Sequence, residues 1–244
     1  MLLEQLIFFP ESFVPDPPPG VEERRFTAED GVRLHAWYAP ARDAAATLVW
    51  SHGNGGNIAG RADVLLALGA RGLSVLAYDY RGYGRSEGRP TEAGVYCDAR
   101  AAYESERARG VAPETIVLFG ESLGGAVSIH LAGERPCAGV AVVSTFTSLG
   151  DVARRHYGAL GSLVGGRFDS LRRVPRLRVP IFVAHGDADE IVPFELGETL
   201  YDAAPEPKRF FRAAGAHHND VFAAPGLIDA IAEFARVAVS LVSR

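Results

Sequence analysis

The chain has 244 residues, 48% of them hydrophobic and 23% charged, with a formal net charge of −5 from 25 basic and 30 acidic residues. This is the composition of a globular protein with a large core, and it excludes disordered, collagenous and disulfide-scaffold classes. The acidic balance, with no basic stripe interleaved with aromatics, gives no support for a nucleic-acid partner.

An α/β chain of this length commonly folds as one unit, so a single domain over residues 1–244 is expected. Residues 1–21 read as an N-terminal lead-in. Leu2, Leu3, Leu6, Ile7, Phe8 and Phe9 make an apolar start that Glu4 and Gln5 interrupt and Pro10 ends. It is too short to span a bilayer and lacks the charge and cleavage pattern of a signal peptide, so it is read as packed on the body of the protein. Four prolines between Pro15 and Gly20 keep the next stretch extended. The two cysteines, Cys97 and Cys137, are too far apart and too few for a disulfide framework or a metal site. A cytoplasmic protein without metal or other cofactor is expected.

The domain proper opens with Glu23–Glu29 and Val32–Trp37 around Asp30-Gly31, a two-residue hairpin signal that predicts two antiparallel strands. Short apolar runs then alternate with longer mixed segments, the pattern of parallel strands joined by crossover helices. The runs are Thr47–Ser51, Leu73–Tyr78, Ile116–Gly120, Gly139–Ser144, Ile181–Ala184 and Arg209–Arg212. Helices are predicted at about 58–70, 91–109, 123–133, 195–204 and 227–242. The result is an α/β chain with an eight-stranded, mostly parallel, doubly wound sheet. The connection 145–179 is longer than the rest and suits one helix and a turn, a minimal lid rather than a second domain. Its apolar residues Phe146, Tyr157, Leu160, Leu163, Val164 and Phe168 are candidates to line an acyl pocket.

The most informative string is Gly120-Glu-Ser122-Leu-Gly124. The Gly-x-Ser-x-Gly pattern is weak alone, but here an apolar strand ends at Gly120 and a helix-compatible run starts at Leu123. That context places Ser122 on a sharp strand-to-helix turn, the nucleophile elbow, with unpaired helix amides beside its hydroxyl. A serine needs a base held by a third group, and in this arrangement an acid and then a histidine follow it in the chain. Asp187, Asp189 and Glu190 lie just past the C-terminal end of the strand 181–184, where catalytic groups gather in open α/β sheets. His217 or His218, after the strand 209–212, is then the base. The other five histidines, His35, His52, His130, His156 and His185, read as structural. An oxyanion needs preorganised donors. The strand 47–51 ends in His52-Gly-Asn54-Gly-Gly-Asn57, a glycine-rich turn that assigns one amide to Asn54, the other being that of Leu123. A phosphate loop is disfavoured because no Gly-Lys-Ser/Thr follows.

With these strings in view, Ser51-His-Gly-Asn-Gly-Gly-Asn57, Asp79-Tyr-Arg-Gly-Tyr-Gly-Arg-Ser-Glu-Gly88, His185-Gly-Asp-Ala-Asp189 and His217-His-Asn-Asp220, the chain from about Glu22 onward resembles the α/β-hydrolase superfamily. It is similar to the depalmitoylase-like branch whose better-known eukaryotic members are membrane-tethered hydrolases of lipid esters and protein thioesters. The resemblance implies that the acid is Asp189, with Asp187 as second choice, and that the base is His218. It assigns Asp79 and Arg81 no catalytic step, and a salt-bridged turn is expected there. His217 stands where a small residue is common in that branch, and the N-terminal membrane anchor of those members is not expected in this chain.

The function expected is therefore that of a serine hydrolase, an esterase or thioesterase working through an acyl-enzyme on a small acyl ester or thioester. In it Ser122 attacks, His218 carries the proton, Asp189 orients the imidazole, and the Asn54 and Leu123 amides hold the oxyanion. A peptidase or amidase using the same triad is the alternative, less favoured because the lid is short. A hydrolase fold kept as a ligand-binding module is another. The sequence sets no oligomeric state.

Overall fold

The computed structural model describes residues 7–242. Leu2, Leu3 and Leu6 of the apolar start, and the side chains of Leu160 and Leu163, lie outside the described residues.

The sheet strands are β1 (Glu22–Thr27), β2 (Arg33–Ala39), β3 (Ala46–Ser51), β4 (Leu73–Tyr78), β5 (Ile116–Glu121), β6 (Gly139–Val143), β7 (Ile181–Gly186) and β8 (Lys208–Ala213). They form one eight-stranded sheet in the order β8-β7-β6-β5-β3-β4-β2-β1, with β1 and β2 antiparallel, β2 antiparallel to β4, and the remaining pairs parallel. The hairpin turn differs from the two-residue turn expected. Thr27 pairs with Arg33, the Ala28 N–H donates to the Val32 carbonyl at 2.9 Å, and the Gly31 N–H donates to the Ala28 carbonyl at 2.9 Å. The loop is Glu29-Asp30-Gly31, in which Gly31 takes the left-handed conformation (φ 86°) that a three-residue hairpin loop demands.

Alternate strand residues face opposite layers, as a period of two requires. Val49, Leu118, Val142 and Val183 pack against one layer, which contains α2 (Glu92–Ala108), α3 (Leu123–Ala132) and α5 (Phe194–Ala203). Leu48, Trp50, Phe119, Ala141 and Phe182 pack against the other, which contains α1 (Ala62–Gly69) and α6 (Leu227–Val242). The α6 stripe Leu227, Ile231, Phe234, Ala235 and Ala238 has the i, i+4, i+7 spacing of a helix buried on one side. Thr91 caps α2 by accepting from the Gly94 N–H at 3.0 Å.

The excursion between β6 and β7 contains α4 (Leu149–Tyr157), capped by Ser148, and two 3-10 turns at Gly158–Val164 and Val174–Arg176. It closes on itself: the Leu149 N–H donates to the Arg167 carbonyl at 2.9 Å and the Leu171 N–H to the Thr147 carbonyl at 3.0 Å. This excursion and the connection from β4 to β5 are the longest between consecutive strands of the sheet.

Strand order reverses at β3. The crossover from β3 leads to β4 on one side, and the chain then returns past β3 to β5 on the other. The crevice at the C-terminal ends of β3 and β5 is therefore the switch point at which open α/β sheets bind ligands. Beyond those two strand ends come Asn54 and Ser122.

Candidate active site

Ser122 joins β5 to α3 with φ 50° and ψ −115°, a conformation that L residues rarely adopt. Neighbouring chain holds it there. Its N–H donates to the Val143 carbonyl at 2.9 Å, and its own carbonyl accepts from Thr145 Oγ1 at 2.8 Å. The turn is too tight for side chains on either flank. A Cβ on Gly120 would come 2.6 Å from the Gly125 Cα, and one on Gly124 would come 2.6 Å from the His52 carbonyl oxygen and nearer still to that of Ser51. Ser122 has no side-chain capping bond to α3, so its hydroxyl is left to other partners.

That partner is a histidine. His218 Nε2 lies 3.1 Å from Ser122 Oγ, and His218 Nδ1 lies 2.7 Å from Asp189 Oδ2. The other Asp189 oxygen accepts the backbone N–H groups of Ile191 at 3.0 Å and Val192 at 2.7 Å. Burial by itself would raise the Asp189 pKa. Hydrogen bonds from His185 and His218, the His218 charge and the Val192 N–H outweigh that and hold the carboxyl well below the usual range. The three residues named from sequence are thus in one hydrogen-bonded line. Asp187, the second choice for the acid, faces away, bonded to Arg212 at 2.8 Å and to the Gly215 N–H at 2.6 Å. His217 pairs with Glu190 at 2.9 Å and does not reach Ser122.

Both amides assigned to an oxyanion hole border the same cleft as Ser122 and His218. Leu123 opens α3, so its N–H has no partner in the preceding turn. Among the described residues, the Asn54 N–H likewise donates to no other group. The cleft has a volume of about 680 Å³. One wall is charged: Arg61 donates to Glu121 at 3.1 and 3.2 Å and to the Gly55 carbonyl at 2.7 Å. The lining also includes the apolar Phe146, Leu149, Val152, Ile191, Val192 and Phe222.

Of the acyl-pocket candidates in the 145–179 connection, Phe146 borders this cleft. Phe168 does not: it is fully buried between Phe8, at 6.2 Å between ring centres, and Tyr96, at 5.6 Å. Tyr157 is largely exposed. Leu149, Val152, Ile191, Phe222 and Phe9 were not foreseen, because their approach depends on how four separate segments pack. Two histidines read as structural have more specific surroundings than sequence showed. His185 is fully buried, donates to the Val192 carbonyl at 2.9 Å and stands 3.3 Å from Asp189. His52 is fully buried beside Asp79, whose other oxygen meets His35 at 3.0 Å. Arg81 does make a salt-bridged turn, with Asp98 and Asp30, while Asp79 instead accepts the Ile58 N–H at 2.9 Å.

Among the described residues, no group of three or more His, Cys, Asp or Glu side chains could hold a metal ion, and no helix is long and apolar enough to cross a membrane.

Residues 42–172 match the family model described as serine aminopeptidase, S33. The uncharacterized protein Rv2307c of Mycobacterium tuberculosis is 40% identical over 241 residues, covering 94% of this chain and 86% of its own. The α/β hydrolase domain-containing protein 17C of Mus musculus is 34% identical over 181 residues, covering 72% of this chain and 55% of its own. Among solved structures, the esterase domain of a Rhodothermus marinus protein superposes with a TM-score of 0.72 at 26% identity, covering 90% of this chain and 99% of that one. A Pyrococcus furiosus esterase superposes with a TM-score of 0.77 at 19% identity, over 93% and 96% of the two chains, a likeness of fold.

Proposed function

The chain belongs to the α/β-hydrolase superfamily and is a hydrolase of that fold; from that premise we propose that it is a serine hydrolase cleaving a carboxylic ester or thioester through an acyl-enzyme. The observation that carries this reading is the unbroken line from Ser122 Oγ to His218 Nε2 at 3.1 Å and from His218 Nδ1 to Asp189 at 2.7 Å.

In the proposed reaction His218 Nε2 accepts the Ser122 proton as Oγ bonds to the substrate carbonyl carbon. The carbonyl electrons move onto the oxygen, and the Asn54 and Leu123 amides donate to it. His218 then gives the proton to the leaving alkoxide or thiolate, and the carbonyl re-forms as the acyl-Ser122 ester. Water repeats the sequence in the second half, releasing the acid and restoring Ser122. Asp189 stays ionised throughout, keeping the Nδ1–H tautomer and offsetting the imidazolium charge. An ester or thioester suits the largely apolar cleft, and the Rhodothermus relative is described as an esterase.

The test is hydrolysis of p-nitrophenyl esters from acetate to palmitate by the wild type and Ser122→Ala, with fluorophosphonate labelling of both. Ser122-dependent turnover and labelling are expected, with kcat reduced on the order of 10⁴-fold or more in the variant. Turnover of aminoacyl p-nitroanilides in preference to every ester would move the reading to an aminopeptidase. A folded wild type that neither labels nor turns over would move it to a binding module.

A further inference from the structure

The charged and apolar lining of the cleft comes from the sheet loops and the 145–179 connection, but one more segment borders it. Phe9 and Pro10 pair in parallel with Gly55 and Gly56, outside the main sheet. The Glu11 N–H continues this ladder by donating to the Gly56 carbonyl at 3.2 Å. The contact is two-sided, because side chains of the oxyanion turn reach back. Asn54 Nδ2 donates to the Ile7 carbonyl while its Oδ1 accepts from Tyr83 at 2.9 Å. Asn57 Nδ2 donates to the carbonyls of Glu11 at 3.0 Å and Phe13 at 2.7 Å. The strap is itself anchored: Ile7 and Phe8 are buried, the Gly84 N–H donates to the Glu11 carbonyl at 2.9 Å, and Arg85 donates to the Val14 carbonyl at 2.8 Å.

Ile7 and Phe8 turn into the body of the protein, and the chain then turns Phe9 outward where it pairs with Gly55. Phe9 is 61% exposed, yet it borders the cleft that contains Ser122. A large apolar ring on a chain tied at both ends is held against solvent at a cost, and a substrate chain lying over it would relieve that cost.

The two ends of the substrate are distinguishable. The leaving-group atom must sit at His218 Nε2 to receive its proton, so the leaving group lies on the His218 side of the carbonyl carbon. An acyl chain that runs away from His218 along Asn54–Gly56 reaches Phe9, which pairs with Gly55 and borders the same cleft.

We infer that Phe9 is a specificity-determining residue, the wall on which the acyl chain beyond its first carbons packs, and that the Ile7–Val14 strap is a working part of the active site. This rests on the serine-hydrolase reading above, and it names the substrate feature read: an unbranched apolar acyl chain.

The experiment uses the full chain and compares kcat/KM for p-nitrophenyl octanoate with that for p-nitrophenyl acetate in the wild type, Phe9→Ala and Phe9→Leu, with fluorophosphonate labelling of each. In Phe9→Ala the octanoate-to-acetate ratio is expected to fall by about tenfold, the scale of an apolar contact in a specificity pocket. Phe9→Leu keeps an apolar wall and should restore the ratio to within about threefold of the wild type. An unchanged ratio in a Phe9→Ala protein that labels and turns over would overturn the inference while leaving the hydrolase reading standing. A wild type that neither labels nor turns over would overturn both.

Discussion

His217 Nδ1 lies 2.9 Å from Glu190 Oε2, so a second histidine–carboxylate pair joins the same two loops as His218 and Asp189, one residue later in the carboxylate loop and one residue earlier in the histidine loop. The two pairs differ in surroundings. The inner one is largely buried and ends at Ser122; the outer one is exposed and ends in solvent.

The first prediction is that the neighbouring histidines separate cleanly. The hydrogen bond that His217 donates to Glu190, and then the Glu190 charge, raise the His217 pKa, a shift that favours the protonated ring over the free base. His217→Ala should retain kcat/KM within about threefold, as expected for loss of an exposed ion pair. His218→Ala should lose on the order of 10⁴-fold in kcat. Steady-state kinetics on an activated ester checks both, and equal losses would remove the assignment of His218.

Asp189 should not contribute to the acid limb of the pH profile. Its carboxyl is held well below the usual range in the folded protein, so it stays ionised where the histidine base titrates. The kcat/KM profile should therefore fall on acidification with the slope of one proton. A two-proton slope would show the acid and base titrating together. Asp189→Asn keeps the shape but loses the charge, and a loss on the order of 10⁴-fold is expected by analogy with the same change in a serine protease triad.

Stability should also fall with acid, for a reason outside the triad. Burial, and then the Arg61 charge, lower the His52 pKa to about 4, against partial opposition from Asp79. Below about 6.5 the unfolded chain binds a proton at this residue that the native protein refuses, so stability declines as pH drops from about 6.5 to about 4. The full interval corresponds to about 3 kcal/mol. The depressed Asp189 adds a loss at lower pH, of the same sign, because its stabilisation disappears as the folded carboxyl protonates. Urea midpoints at pH 7, 5.5 and 4.5 measure the slope. His52→Gln should flatten it; an unchanged slope would assign the effect to other groups.

How much of this was legible in the sequence follows from how local each feature is. Parallel strands buried on both faces announce themselves as apolar runs, so Thr47–Ser51 and Leu73–Tyr78 lie in β3 and β4, which begin at Ala46 and Leu73. Ser122, Asp189 and His218 each follow a strand end within a few residues, and chain order then restricts their pairing. The hairpin turn was misjudged by one residue because Asp30-Gly31 suits either a two-residue loop or the last two residues of the three-residue loop observed. The cleft walls were the least legible. Phe9 reaches the site because Asn54, Gly55 and Asn57, more than forty residues away, hold the chain at Phe9 and on either side of it, and no periodicity encodes that. His185 looked isolated since its partner Asp189 is found through the fold of a tight loop.

Gly124 supplies the sharpest structural test. A Cβ there would meet the Ser51 and His52 carbonyls, so α3 would have to move away from the end of β3. That motion separates the Leu123 amide, on α3, from the Asn54 amide, on the loop after β3, and spoils the donor pair as well as the packing. Gly124→Ala should therefore lower stability by about 3 kcal/mol or more, at the upper end for overpacked sites. It should also reduce kcat by on the order of 10²-fold in any protein that folds, the cost of one displaced oxyanion donor. Gly55 is the matched control, because a Cβ there meets nothing within 4 Å and its φ is not in the left-handed region. Gly55→Ala should stay within about 0.5 kcal/mol of the wild type. Thermal unfolding compares the stabilities of the two variants, and ester kinetics compare Gly124→Ala with the wild type. A Gly124→Ala protein as stable as Gly55→Ala and as active as the wild type would mean that α3 and β3 can part without disturbing the two amides.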